Sequence, residues 1–106
     1  MNVSFHPAVL AFLRSLKQSD ADAASSVYGL IEALERRGYE LGMPFAKPVG
    51  KGLMELRVLG RPAFRILYGF HRGEAILLLA TKKQKPHLDQ HDISLARARL
   101  REWTTL

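Results

Sequence analysis

A chain of 106 residues is the size of one domain and long enough to close a hydrophobic core without disulfide or metal staples. Its 47% hydrophobic and 25% charged content is ordinary globular composition, and the absence of cysteine excludes disulfide frameworks, thiol nucleophiles and cysteine-ligated zinc. The net charge of +6 is unevenly placed: residues 1–40 carry four basic and five acidic side chains, residues 41–106 twelve basic and five acidic.

A near-neutral part followed by a basic part suggests a polyanion partner on the basic side. The longest purely apolar run, Ala75–Ala80, is far short of the ~20 residues that a bilayer span requires. The N-terminus, Met1-Asn-Val-Ser-Phe-His6, has neither a basic n-region nor an apolar h-region. A cytoplasmic location without membrane association is expected.

Val3–Phe5 reads as a short strand. Pro7 suits a first helical position, and Val9, Leu10, Leu13 and Leu16 follow at helical spacing. Ser19 and Asp20 offer a cap for a second helix, and Asp22 adds negative charge to its first turn. That helix carries Val27, Leu30, Ile31 and Leu34 on one face and stops at Arg36-Arg37-Gly38, basic residues followed by glycine. The short polar connection makes the pair an αα-hairpin. Gly42, Pro44, Pro48, Gly50 and Gly52 then punctuate a loop.

Three strands follow, Leu53–Leu59, Phe64–Phe70 and Ala75–Ala80, with turns at Gly60-Arg-Pro-Ala63 and His71-Arg-Gly73. Connections this short imply an antiparallel meander. Asp92 is the expected cap of a final helix, Ile93 to Trp103, with Leu95, Leu100 and Trp103 available for packing.

Strand alternation sorts the side chains of the meander. Met54, Leu56 and Val58 share one face with Phe64, Ile66, Tyr68 and Phe70, and this face is expected to meet the helices. Glu55, Arg57 and Arg65 fall on the opposite, uncovered face. Directly after the third strand comes Thr81-Lys-Lys-Gln-Lys-Pro-His87, whose nearest acid is Asp89. Three lysines without a local counter-charge project positive potential, and phosphate is their natural ligand. The plainer alternative is a loop of solvated charges.

His87 and His91 with Asp89 and Asp92 lack a third strong ligand, so no metal site is expected. His6 and His71, at a helix start and a turn, read as solvated. Tyr28, Tyr39, Tyr68 and Trp103 read as packing residues.

The order of elements resembles the RelE/HigB-like toxins of type II toxin–antitoxin modules, closest to their phage-derived, Gp49-like branch. The matching residues are Leu34-Glu-Arg-Arg-Gly38, Glu40-Leu-Gly-Met-Pro44, Lys47-Pro48, Gly52-Leu-Met-Glu-Leu-Arg57, Phe64-Arg-Ile-Leu-Tyr68 and Thr81-Lys-Lys-Gln-Lys-Pro86. The resemblance implies an α+β (α/β) fold in one domain spanning residues 1–106. In it, an N-terminal helical hairpin packs on a twisted, mainly antiparallel sheet of three to four strands, followed by a C-terminal helix.

It also implies a metal-independent, cofactor-free mRNA endoribonuclease that inhibits translation at the ribosome. Arg65 is thereby assigned to the scissile phosphate with Arg57 in support. Lys82, Lys83 and Lys85 hold flanking phosphates or stabilise the transition state, and Lys47 and Arg61 are further RNA contacts. Family members place a Tyr or His after the basic segment, or lysines on a strand, as acid and base. Leu53 and Glu55 stand at the lysine positions here and no Tyr follows Lys85, which leaves His87 or His91.

The implied partners are mRNA, the ribosome and a cognate antitoxin of the helix-turn-helix, HigA-like kind. Two alternatives keep the fold: a ParE-like gyrase-poisoning toxin and a non-cleaving nucleic-acid-binding module.

Overall fold

The computed structural model describes residues 1–105; Leu106, the last residue of the expected domain, lies outside the described residues. Strands β1 (Asn2–Phe5), β2 (Ala46–Gly50), β3 (Leu53–Val58), β4 (Phe64–His71) and β5 (Glu74–Lys82) form one sheet in the order β1-β5-β4-β3-β2. Helices α1 (Pro7–Ser19) and α2 (Ala21–Arg37) pack on one face and α3 (Gln90–Thr104) on the other. The helical hairpin and the antiparallel β3-β4-β5 meander are those expected from sequence.

The strand count is five rather than three to four. Ala46–Gly50, expected as loop, pairs with β3 as an edge strand, where Pro48 interrupts no second ladder. At the other edge β1 runs parallel to β5, from Asn2 opposite Glu74 to Phe5 opposite Leu77.

Local chemistry sets the helix limits. Asp20 Oδ1 accepts the Ala23 N–H at 3.1 Å and caps α2, which ends where Gly38 takes φ +54°, a backbone that side chains disfavour. The cap of α1 is His6, whose Nδ1 accepts the Ala8 N–H at 3.0 Å. His6 is therefore not the solvated histidine expected from sequence. Burial lowers its pKa below 6.5, the nearby Arg99 guanidinium lowers it further, and Glu102 opposes them.

A protonated imidazole cannot accept at Nδ1, so the cap requires the neutral ring. Above pH 6.5 the ring is neutral folded and unfolded, and the cap contributes fully. As pH falls below 6.5 the unfolded chain takes the proton first and stability is lost. The urea midpoint is expected to fall between pH 7.5 and 5.5, and His6→Asn, which keeps a cap acceptor without a titrating group, to shrink that fall. An unchanged slope in the asparagine variant would assign it to other groups.

The helix-side core joins Val9, Leu13, Val27, Ile31 and Leu34 to Leu56, Ile66, Tyr68 and Leu77. Leu10, expected inside, is 38% exposed, and Phe12 packs inward instead, edge-on to Phe64 with centroids 6.0 Å apart. Tyr68 is fully buried and its hydroxyl has no hydrogen-bond partner among the described residues; burial pushes its pKa up to about 12. A buried polar atom left unpaired costs about 1–3 kcal/mol. Tyr68→Phe is thus expected to leave stability unchanged or raise it, read as the urea midpoint; a clear loss would reveal a partner for the hydroxyl.

The opposite face is not the uncovered surface expected from alternation. Leu53, Leu67, Ile76 and Leu78 pack there against Ile93, Ala96, Leu100 and Trp103 of α3. The close approach depends on Gly69, where a Cβ would lie 2.9 Å from Leu100 Cδ2. Arg99 adds a polar tie, its Nη1 donating to the Leu78 carbonyl at 2.8 Å. Helix α3 also begins earlier than expected: Asp89, not Asp92, is the cap, and its Oδ1 accepts the His91 N–H at 2.9 Å.

The ladder between β4 and β5 is irregular at one point. Leu67 pairs with Leu79 but Tyr68 with Leu77, so Leu78 is an extra residue in β5. This bulge reverses the alternation of β5 beyond it. Thr81, opposite Arg65, takes the α3 side, and Lys82, opposite Phe64, takes the side of the helical hairpin. Among the described residues no helix is long and apolar enough to cross a membrane.

Candidate nucleic-acid interface

The polar part of the α3 face is built by strand register. Lys47 stands opposite Glu55 across β2 and β3. One step along, Arg57, Arg65 and Thr81 stand side by side across β3, β4 and β5. Directly opposed arginines repel. Glu55 offsets this from the adjacent row, with Oε1 3.5 Å from Arg57 Nε and Oε2 3.2 Å from Arg65 Nε. The carboxylate is buried, at 2% exposure, so its two cations are what make it tolerable there.

The two arginines differ in surroundings. The Arg57 side chain is 28% exposed, whereas that of Arg65 is 12% exposed. Arg65 Nη1 donates to the His87 carbonyl at 3.1 Å, and Nη2 to the carbonyls of Lys85 at 2.9 Å and Pro86 at 2.8 Å. The basic segment is thereby drawn over the sheet.

Together they enclose an open cleft of about 220 Å³ lined by Arg65, Thr81, Lys82, Gln84, Lys85, His87, Asp89 and Asp92. Two lysines, an imidazole and a deep guanidinium on one concave wall suit a phosphodiester. The two aspartates at the α3 end bound the positive region.

The expected site residues divide on this geometry. Arg65, Lys82, Lys85 and His87 meet in the cleft. Lys83 is exposed beside it, its backbone N–H on the Ala63 carbonyl at 2.8 Å extending the ladder past β5. Arg57 and Lys47 lie along the sheet toward β2. Arg61 is elsewhere, in a second cleft with Asp20 and Asp22 at the start of α2.

His91 sits in the first turn of α3 and does not line the cleft. Thr81 and Gln84 were not singled out by sequence. The signal for Thr81 was hidden by the bulge, which a count of alternate residues from Ile76 places wrongly. Among the described residues no group of three or more His, Asp or Glu converges as a metal-binding cluster.

The family model described as phage derived protein Gp49-like (DUF891) matches residues 14–101, which take in the end of α1, all of α2, the four antiparallel strands and most of α3. The chain belongs to the Gp49-like family. This is the branch that the sequence resembles. No curated protein matches the sequence.

Among solved structures, the chain is similar to a YoeB/ParE toxin from Agrobacterium tumefaciens, with a TM-score of 0.64 and 15% identity over 78% of this chain and 99% of that one. It is also similar to the heterotetrameric YoeB–YefM toxin–antitoxin complex from Staphylococcus aureus, with a TM-score of 0.61 and 16% identity over 80% of this chain and 98% of that one. The S. aureus YoeB dimer gives the same values. At these identities the likeness is one of fold.

Proposed function

We propose that this Gp49-like protein is the toxin of a toxin–antitoxin pair, a single-domain ribonuclease that cuts mRNA on the ribosome without a metal. The observation that carries the proposal is the meeting of Lys82, Lys85 and His87 with Arg65 in one cleft. Its context supports it: the family membership, and a fold shared with chains described as toxins in complex with an antitoxin.

RNA supplies its own nucleophile. The 2′-hydroxyl oxygen attacks the adjacent phosphorus, the bond to the 5′ oxygen breaks, and a 2′,3′-cyclic phosphate and a free 5′-hydroxyl result. The protein has three tasks: to take the 2′ proton, to stabilise the charge gathering on the phosphorane, and to protonate the departing oxygen. His87 brings to the cleft an imidazole, the side chain most suited to taking and giving a proton in such a reaction. Lys82 and Lys85 line the cleft and Lys83 stands beside it, to face the phosphate charge.

Helices α1 and α2, which make up most of the near-neutral first forty residues and lie on the far side of the sheet, offer a partner surface clear of the cleft for an antitoxin.

Expression of the protein alone, with mapping of new 5′ ends in cellular RNA, tests this. New ends within translated messages, suppressed when a neighbouring small reading frame is co-expressed, are the expected result. DNA-damage signalling without new RNA ends would establish a gyrase-directed mode instead, a possibility kept open by the fold shared with a chain described as a YoeB/ParE toxin. Neither effect would leave a binding module.

A further inference from the structure

The guanidinium of Arg65 is already occupied. Its Nη1 and Nη2 donate to the carbonyls of Lys85, Pro86 and His87, and its Nε stands 3.2 Å from Glu55 Oε2 as an ion pair. Those carbonyls belong to three consecutive residues, so that stretch of main chain wraps one cation. The stretch has little else to hold it. Beyond Lys83, whose N–H meets Ala63, and before Asp89, which caps α3, no other hydrogen bond reaches the main chain among the described residues.

Beneath the guanidinium, Glu55 is buried and fixed by β3, and it also pairs with Arg57. The chain of contacts therefore runs from a buried carboxylate, through one planar cation, to the backbone that carries Lys85 and His87.

We infer that Glu55 and Arg65 are positioning residues, a strut that sets the basic segment over the cleft, and that the phosphate is met by the lysines of that segment, Lys85 foremost, rather than by Arg65. The inference deepens the ribonuclease assignment and rests on it for the identity of the ligand. A guanidinium suits the task because its fork reaches several carbonyls at fixed angles. A lysine ammonium is a point charge on a flexible stem and cannot span them in the same way. The contacts are to main-chain oxygens, so they constrain the path of the segment and leave its side chains free to face RNA.

Neutralising Glu55 separates the two roles, because they respond with opposite sign. If Arg65 touched phosphate, Glu55→Gln would free the guanidinium from its counter-charge, tighten RNA binding and leave the segment protected. If Arg65 is a strut, the same change loosens the segment and weakens turnover.

The experiment uses the full chain with Arg65→Gln, Arg65→Lys and Glu55→Gln. Trypsin cleavage at Lys83–Gln84 is followed relative to cleavage at the exposed Lys51–Gly52 turn. Turnover of a synthetic RNA oligonucleotide is measured alongside. Cleavage at Lys83–Gln84 should accelerate in all three variants, and Arg65→Lys should not restore protection. Turnover should lose about tenfold or more in kcat with little change in KM, the pattern of a displaced catalytic group rather than of lost binding.

Protection equal to the parent in both Arg65 variants would overturn the strut, as would tighter RNA binding by Glu55→Gln. Should Glu55→Gln not fold, the two Arg65 variants decide the matter through protection alone. The proteolysis needs no RNA. Loosened segments in a protein that cleaves no RNA would keep the strut and sink only the ribonuclease assignment.

Discussion

Replacement of Lys82, Lys83 and Lys85 together by glutamine is expected to abolish growth inhibition while the protein stays folded. All three side chains belong to exposed residues, and none makes an ion pair among the described residues. Their removal therefore forfeits no burial and orphans no buried partner. What it removes is phosphate contact. On single-stranded RNA each contact contributes about 0.7 to the slope of log affinity against log salt, so the triple variant should lose about 2. Filter binding of an oligonucleotide between low and moderate salt reads this directly. A slope equal to the parent's would mean that the lysines are merely solvated. Lys82, turned by the bulge toward the hairpin side, is expected to contribute least.

Leu78→Ala is expected to do the reverse, weakening the fold without touching a charged group. Leu78 is fully buried in the cluster beneath α3, and its carbonyl holds Arg99. Removing a side chain so enclosed costs about 2–5 kcal/mol, according to how far α3 can settle into the space. The urea midpoint should fall steeply, and in cells the variant should be less toxic because it is less abundant. Normalising toxicity to protein level should recover most of the difference. A variant with parental stability would show that α3 is not seated on Leu78.

The contrast between these residues marks what could be read in advance. The helical hairpin and the three-stranded meander were legible because their apolar residues recur at clean periods, and because Gly38 and the Asp20 cap punctuate them. The cluster of lysines was legible as charge. Three things were not.

The first is β2: Pro48 and its flanking glycines carry turn chemistry, and only the edge position makes the segment a strand. The second is the covering of the Arg65 face. The continuous run Ala75–Leu79 was its signal, since a strand apolar at every position is buried on both sides. The third is the bulge at Leu78, which no periodicity reveals because it is itself a break in period. The role of Arg65 depended on the last two, for its partners are backbone oxygens and carry no side-chain signature in the sequence.

The parallel pairing of β1 with β5 bears on timing. The first strand of the chain finds its partner only in residues 74–77, and β5 is also the strand on which β4, α1 and α3 depend. Contacts between segments so distant in sequence form late, because the intervening chain must be closed first. During synthesis the N-terminal hairpin can emerge and coil, but it has no finished sheet to sit on until β5 has followed it. The basic segment and α3 come later still. A nascent chain of this topology therefore carries its lysines in a segment with nothing to hold it until the sheet and α3 are made. For a protein proposed to act on translating ribosomes, that order delays activity until α3 has emerged and packed.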